Sequence, residues 1–78
     1  MQKKHLLIYQ VEEEWPHIGK QTTQEAVFLY NWESVKFYRD NLLKWVTGLT
    51  DIQIYVFDGT KFVLIERWAD NHETPTAL

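Results

Sequence analysis

The stretch "EAVFLYNWESVKFYRDNLLKWVTG", Glu25 to Gly48, decides the fold. Its second half has a helical period. Trp32, Val35, Tyr38, Leu42, Trp45 and Leu49 recur at spacings of three and four, so they share one face. Glu33, Lys36, Asp40 and Lys44 fall on the other face, where Lys36–Asp40 and Asp40–Lys44 stand one turn apart and suit weak ion pairs. Gly48 stands where a left-handed cap would close the helix. Two starts compete. Asn31 is a good N-cap with Glu33 just inside. Thr22-Thr23-Gln24-Glu25 matches a capping box and would begin one long helix. "AVFLY" is strand-like by propensity, and this favours Asn31.

Upstream, "KKHLLIYQV", Lys3 to Val11, reads as a strand. "EEEWPHIGKQTTQ", Glu12 to Gln24, carries charge, Pro16 and Gly19 and reads as a loop or a wide hairpin connection. Downstream, "IQIYVFDGTKFVLIERW", Ile52 to Trp68, places Asp58-Gly59 between two apolar runs, a strong hairpin signal. The reading is an α+β fold in the order ββαββ, an antiparallel sheet with one amphipathic helix on one face. A long helix would make it βαββ. Residues 1–68 form one domain, and residues 69–78, polar and containing Pro75, read as a flexible tail.

The hairpin has more apolar surface than one helix can cover. A two-residue turn sets Phe57 opposite Thr60 and Tyr55 opposite Phe62. Ile52, Ile54, Val56, Val63 and Ile65 then make an aliphatic face that suits the helix stripe. Tyr55, Phe57, Phe62, Leu64 and Trp68 line the other face. A three-residue turn with a bulge shifts the pairing by one and still leaves apolar residues in the middle of the second face. Three covers fit: the Glu12–Gln24 segment with Trp15 folded over the sheet, a second copy of the chain, or a foreign partner.

The chain has 78 residues, 45% hydrophobic and 24% charged, which places it among small globular domains. Aromatic residues make up 15%, and these large side chains give a short chain more core per residue. Cysteine is absent, so no disulfide supports the fold and a reducing compartment is compatible. No apolar run reaches membrane-spanning length. The N-terminal apolar run is short and meets three glutamates, unlike a signal peptide. A cytoplasmic protein is expected.

Catalytic chemistry finds little support. His5, His17 and His72 sit at a strand start, in a loop and in the tail, without a second ligand at metal spacing. There is no P-loop and no dinucleotide fingerprint. The only serine, Ser34, lies in the first helical turn. No catalytic residue, metal or cofactor is expected. The formal charge of −3 weighs against phosphate-driven nucleic-acid binding, and the basic residues form no stripe. The expectation is a small non-enzymatic interaction module, a regulator, inhibitor or adaptor. It would dock on a protein partner or on itself through Tyr55, Phe57, Phe62, Leu64 and Trp68, with Trp15 as a further anchor. Single-stranded nucleic-acid binding on the same aromatic face is the alternative. A further alternative is a subunit of an oligomeric ligand-binding protein or enzyme whose site forms between chains.

Overall fold

The structure is a computed structural model and describes residues 3–70. The elements are β1 (His5–Trp15), β2 (Gly19–Leu29), α1 (Trp32–Trp45), β3 (Leu49–Phe57) and β4 (Phe62–Ala69). They form one four-stranded sheet in the order β2-β1-β3-β4, every neighbouring pair antiparallel. The ββαββ reading is the observed one. β2 and β3 run parallel with β1 between them, and α1 makes the crossover.

Asn31 settles the helix start. Its backbone is extended, at φ −145° and ψ 172°. Its side-chain Oδ1 accepts the Ser34 N–H at 2.8 Å, as an N-cap should. "AVFLY" therefore stays in β2. At the other end Val46 is extended and its N–H donates to the Leu42 carbonyl. Gly48 is left-handed at φ +84°, but it lies in the turn into β3 rather than at the cap.

The core lies between the helix and the two central strands. Leu7 and Val11 of β1, Val35 and Leu42 of α1, and Leu49, Ile52 and Ile54 of β3 are buried. Trp32, Tyr38, Val46, Tyr9, Leu29 and Trp68 pack around them. The helix stripe is shorter than its spacing implies. Leu49 already belongs to β3, and Val46 closes the stripe in place of Trp45, which is 70% exposed. The acidic Asp40 is engaged by its neighbour Arg39, whose Nε lies 3.3 Å away.

Three local expectations are corrected. First, Glu12–Gln24 is not a loop. β1 continues past Val11 to Trp15, and β2 begins at Gly19, so both strands run on as a ribbon closed by Pro16–Ile18. β3 leaves β1 at Val11, with one further bond from Glu12 N–H to the Gly48 carbonyl at 2.8 Å. Glu14 stands opposite Lys20 in this ribbon, a favourable cross-strand pair. The charges that suggested a loop are tolerated because the ribbon is solvated on both sides.

Second, the β3–β4 turn is longer than either hairpin considered. Phe57 pairs with Phe62, so Asp58 to Lys61 form the connection. The Asp58 carboxylate organises it. Oδ1 accepts the backbone N–H of Thr60 at 2.9 Å and of Lys61 at 3.0 Å, and the Thr60 hydroxyl at 3.0 Å. An Asx-type turn replaces the tight turn that Asp-Gly suggests.

Third, β4 carries a bulge. Tyr55 pairs with Leu64 but Ile54 pairs with Glu66, which leaves Ile65 as the extra residue. The longer turn shifts the register by two, so Tyr55, Phe57, Phe62 and Leu64 still share a face. The bulge shifts it once more, which turns Glu66 and Trp68 to the helix side and Arg67 to the other.

The tail expected at 69–78 falls outside the described residues beyond Asp70. Ala69 ends β4, and the Asp70 N–H donates to the Thr50 carbonyl at 3.0 Å. Among the described residues no helix is long and apolar enough to cross a membrane.

Candidate docking face

Side chains alternate across a strand, so pairing fixes which residues share a face. His5, Leu7, Tyr9 and Val11 of β1 point to the helix. Leu6, Ile8, Gln10 and Glu12 point away from it. Beside Leu6 stand Phe28 of β2 and Tyr55 of β3, and Leu64 of β4 lies beyond Tyr55. One row nearer the β3–β4 turn, Phe57 donates its N–H to the Lys4 carbonyl and pairs with Phe62. The rings of Phe57 and Phe62 are 5.2 Å apart. Together these residues make an apolar field on the face without the helix. Phe28 is 49% exposed, Leu64 47% and Phe62 37%.

Toward the opposite end the face becomes polar and tightly bonded. Asp51, only 5% exposed, accepts Arg67 Nε at 2.9 Å and Gln53 Nε2 at 2.9 Å. The Tyr55 hydroxyl donates to Gln53 Oε1. A chain of bonds thus runs from Arg67 through Asp51 and Gln53 to Tyr55. It fixes the Tyr55 ring at the border of the apolar field and satisfies a carboxylate that would be costly to bury alone. Gln10 and Gln24 complete this end, Nε2 of Gln10 donating to Oε1 of Gln24 at 3.1 Å.

Four of the six residues expected at a docking site therefore come together: Tyr55, Phe57, Phe62 and Leu64. Trp68 does not join them. The bulge places it on the helix side, opposite Ile52, where it packs against the core. Trp15 does not cover the sheet either. It lies near the ribbon tip, opposite Gly19, with its Nε1–H on Glu13 Oε1 at 3.3 Å. It shares a depression of about 220 Å³ with Ile18, Gln21 and Thr23.

Leu6, Ile8 and Phe28 also belong to the face and lie outside the β3–β4 hairpin. Their signal is present in the sequence. "HLLIYQV" and "AVFLY" are apolar at both odd and even positions, the mark of strands with apolar residues on both faces.

Other polar groups bond within the fold. Arg39 of α1 reaches Glu66 of β4 and Asp40 beside it. Burial works against its charged form, but the bonds to Glu66 and Asp40 outweigh it and raise its pKa. Burial also raises the Tyr9 phenol, with help from Tyr38 and Glu25. A second depression of about 230 Å³, between Tyr38, Asn41, Leu42, Trp45 and Val46, lies on the helix and not on the open face. Among the described residues no three His, Asp or Glu side chains gather as a metal site. Compared with protein-family models, with curated proteins and with solved structures, the chain matches none.

Proposed function

We propose that this chain is a small protein-interaction module that docks through the face of its sheet opposite α1. One observation carries the reading. Leu6, Ile8, Phe28, Tyr55, Phe57, Phe62 and Leu64 form a continuous apolar field on the face opposite α1, and among the described residues Phe28, Phe62 and Leu64 are substantially exposed. Contiguous apolar surface of this kind on a small domain marks interaction sites. Aromatic residues give such a site large contact area at low entropic cost, and they dominate the energetics of protein interfaces. The Arg67–Asp51–Gln53–Tyr55 chain holds one border of the field in place before any partner arrives.

The test is a binding comparison between the wild-type chain and the double variant Phe62→Asp/Leu64→Asp. Leu64 is exposed, and Leu64→Asp alone spares the ring contacts of Phe62 while circular dichroism checks that the fold survives in both variants. Partner retention from host-cell extract, or self-association, should be lost in the variant. Equal binding by both proteins would overturn the docking role of this face.

A further inference from the structure

We propose that the ribbon made by the ends of β1 and β2 is a second docking element, whose tip seats an arginine side chain from a basic segment of a partner protein. The seat is separate from the sheet face opposite α1 and does not depend on it. β3 leaves β1 at Val11, so beyond that row only two strands continue, Glu12 to Trp15 and Gly19 to Thr22. Their side chains alternate between two faces. On one face Glu14 stands opposite Lys20 and Glu12 opposite Thr22. On the other, Glu13 stands opposite Gln21 and Trp15 opposite Gly19. This second face therefore gives Glu13 no cross-strand base, and Gly19 offers no side chain to cover the indole.

The tip is apolar and shaped. Trp15 is half exposed and Ile18 is more exposed still. The Ile18 N–H donates to the Trp15 carbonyl at 3.2 Å, which closes the turn. Trp15, Ile18, Gln21 and Thr23 line the depression of about 220 Å³. Pockets that hold free small molecules run to roughly 300–1,000 Å³. A smaller, open depression suits one long side chain of a larger partner.

Charge selects that side chain. From Glu12 to Glu25 there are four acids and one lysine, so the ribbon and its root carry the whole formal charge of −3 while the rest of the chain balances. Such a field repels phosphate and favours a cation. An acidic run alone is only a solvated strand. Here one carboxylate is tied to the ring. Glu13 Oε1 accepts the Trp15 Nε1–H at 3.3 Å, which holds the carboxylate at the indole edge and leaves Oε2 to accept a further bond. A guanidinium is planar, so it can stack on the indole and donate to that oxygen together. Its apolar stem can lie against Ile18. A lysine ammonium can pair with the carboxylate but cannot stack as a plane.

The experiment is an NMR titration of the isotope-labelled full chain with a capped peptide of alternating arginine and leucine. Shifts are expected at the Trp15 indole N–H and at the amides of Ile18, Gln21 and Thr23, and salt should weaken the binding. Glu13→Gln keeps an acceptor for the indole and removes the charge, and should weaken binding by about two- to five-fold. Trp15→Leu keeps apolar bulk and removes the π face, and should weaken it by at least about that much. Lys20→Gln, on the other face of the ribbon, should not weaken it. A lysine–leucine peptide should bind less tightly than the arginine one. All three substituted positions are at the surface, and circular dichroism checks the fold of each variant. Equal shifts with a glutamate–leucine peptide would overturn the arginine seat, as would Glu13→Gln binding as tightly as the wild type. Shifts confined to Phe28, Phe62 and Leu64 would overturn it too, and would support the docking role of the sheet face instead. No shift at the tip with millimolar peptide would remove the seat and leave the sheet face to its own variants.

Discussion

The rings of Phe28 and Phe62 lie 5.9 Å apart, centroid to centroid, tilted by 53°. Their strands, β2 and β4, are the two edges of the sheet, with β1 and β3 between them. Both rings lean inward over the open face, from opposite edges of the sheet. The contact therefore ties the two edges together across Leu6 and Tyr55. Tilted aromatic pairs at this distance contribute about 0.5–1.5 kcal/mol beyond area burial. A double-mutant cycle with Phe28→Ala and Phe62→Ala in urea unfolding should return a coupling energy in that range. A coupling of zero would show that the rings act independently.

Arg67 and Asp51 form a second coupled pair. Asp51 is buried while its partner guanidinium is half exposed. Removing the arginine leaves a buried carboxylate with, among the described residues, only Gln53 as a side-chain donor. Arg67→Ala should therefore cost about 1–3 kcal/mol, more than an ordinary surface substitution. Arg67→Ala combined with Asp51→Asn should recover part of the loss, since the unpaired charge is then gone. Chemical denaturation of the two variants decides it. Equal stability of the single and double variants would show that the unpaired Asp51 charge costs nothing measurable.

Asp58 makes a pH-dependent prediction. Backbone N–H groups of Thr60 and Lys61, with the Thr60 hydroxyl, hold its carboxyl below the ordinary value of 3.8. A depressed carboxyl contributes stability above its unfolded value and loses it as pH falls through the folded value. The turn should thus stay closed at neutral pH and loosen only well into the acid range. The amide shifts of Thr60 and Lys61 should titrate together with a midpoint below 3.8. A midpoint at or above that value would remove the carboxylate from its role in the turn.

Much of this was legible in the sequence, and the parts that were not have physical reasons. The helix start was readable because a cap is a local event. Asn31 needs only the Ser34 N–H within reach, and both residues lie in the same short stretch. The ribbon from Glu12 to Gln24 was not readable as strand. Its Glu, Lys, Gly and Pro residues are poor strand formers and interrupt Trp15, Thr22 and Thr23, and pairing across Pro16–Ile18 makes the segment extended. Trp68 was misplaced for a related reason. A bulge at Ile65 flips every later side chain, and bulges arise from how two strands twist together rather than from a residue pattern. The shared face of Tyr55, Phe57, Phe62 and Leu64 was right although the turn length was wrong, since a shift of two residues conserves alternation. Phe28 stands on that face because β2 pairs it with Leu6.

Gly48 offers a test of how closely the ribbon is held to the rest of the domain. Its φ is +84°, and a Cβ there would lie 2.3 Å from the Glu12 carbonyl oxygen. That oxygen is backbone within a paired strand and cannot swing away. The N–H of Glu12 also donates to the Gly48 carbonyl at 2.8 Å, so any retreat breaks a bond. Gly59 has φ +111° but open space around it. Gly59→Ala therefore meets only the backbone conformational cost, about 1–3 kcal/mol. Gly48→Ala meets that cost and the collision, and should be the more destabilising by at least about 1 kcal/mol. Hydrogen exchange at Glu12 should rise in Gly48→Ala and stay unchanged in Gly59→Ala. If thermal unfolding ranked the two variants equally, the close approach of Gly48 to β1 would not be part of what holds the fold.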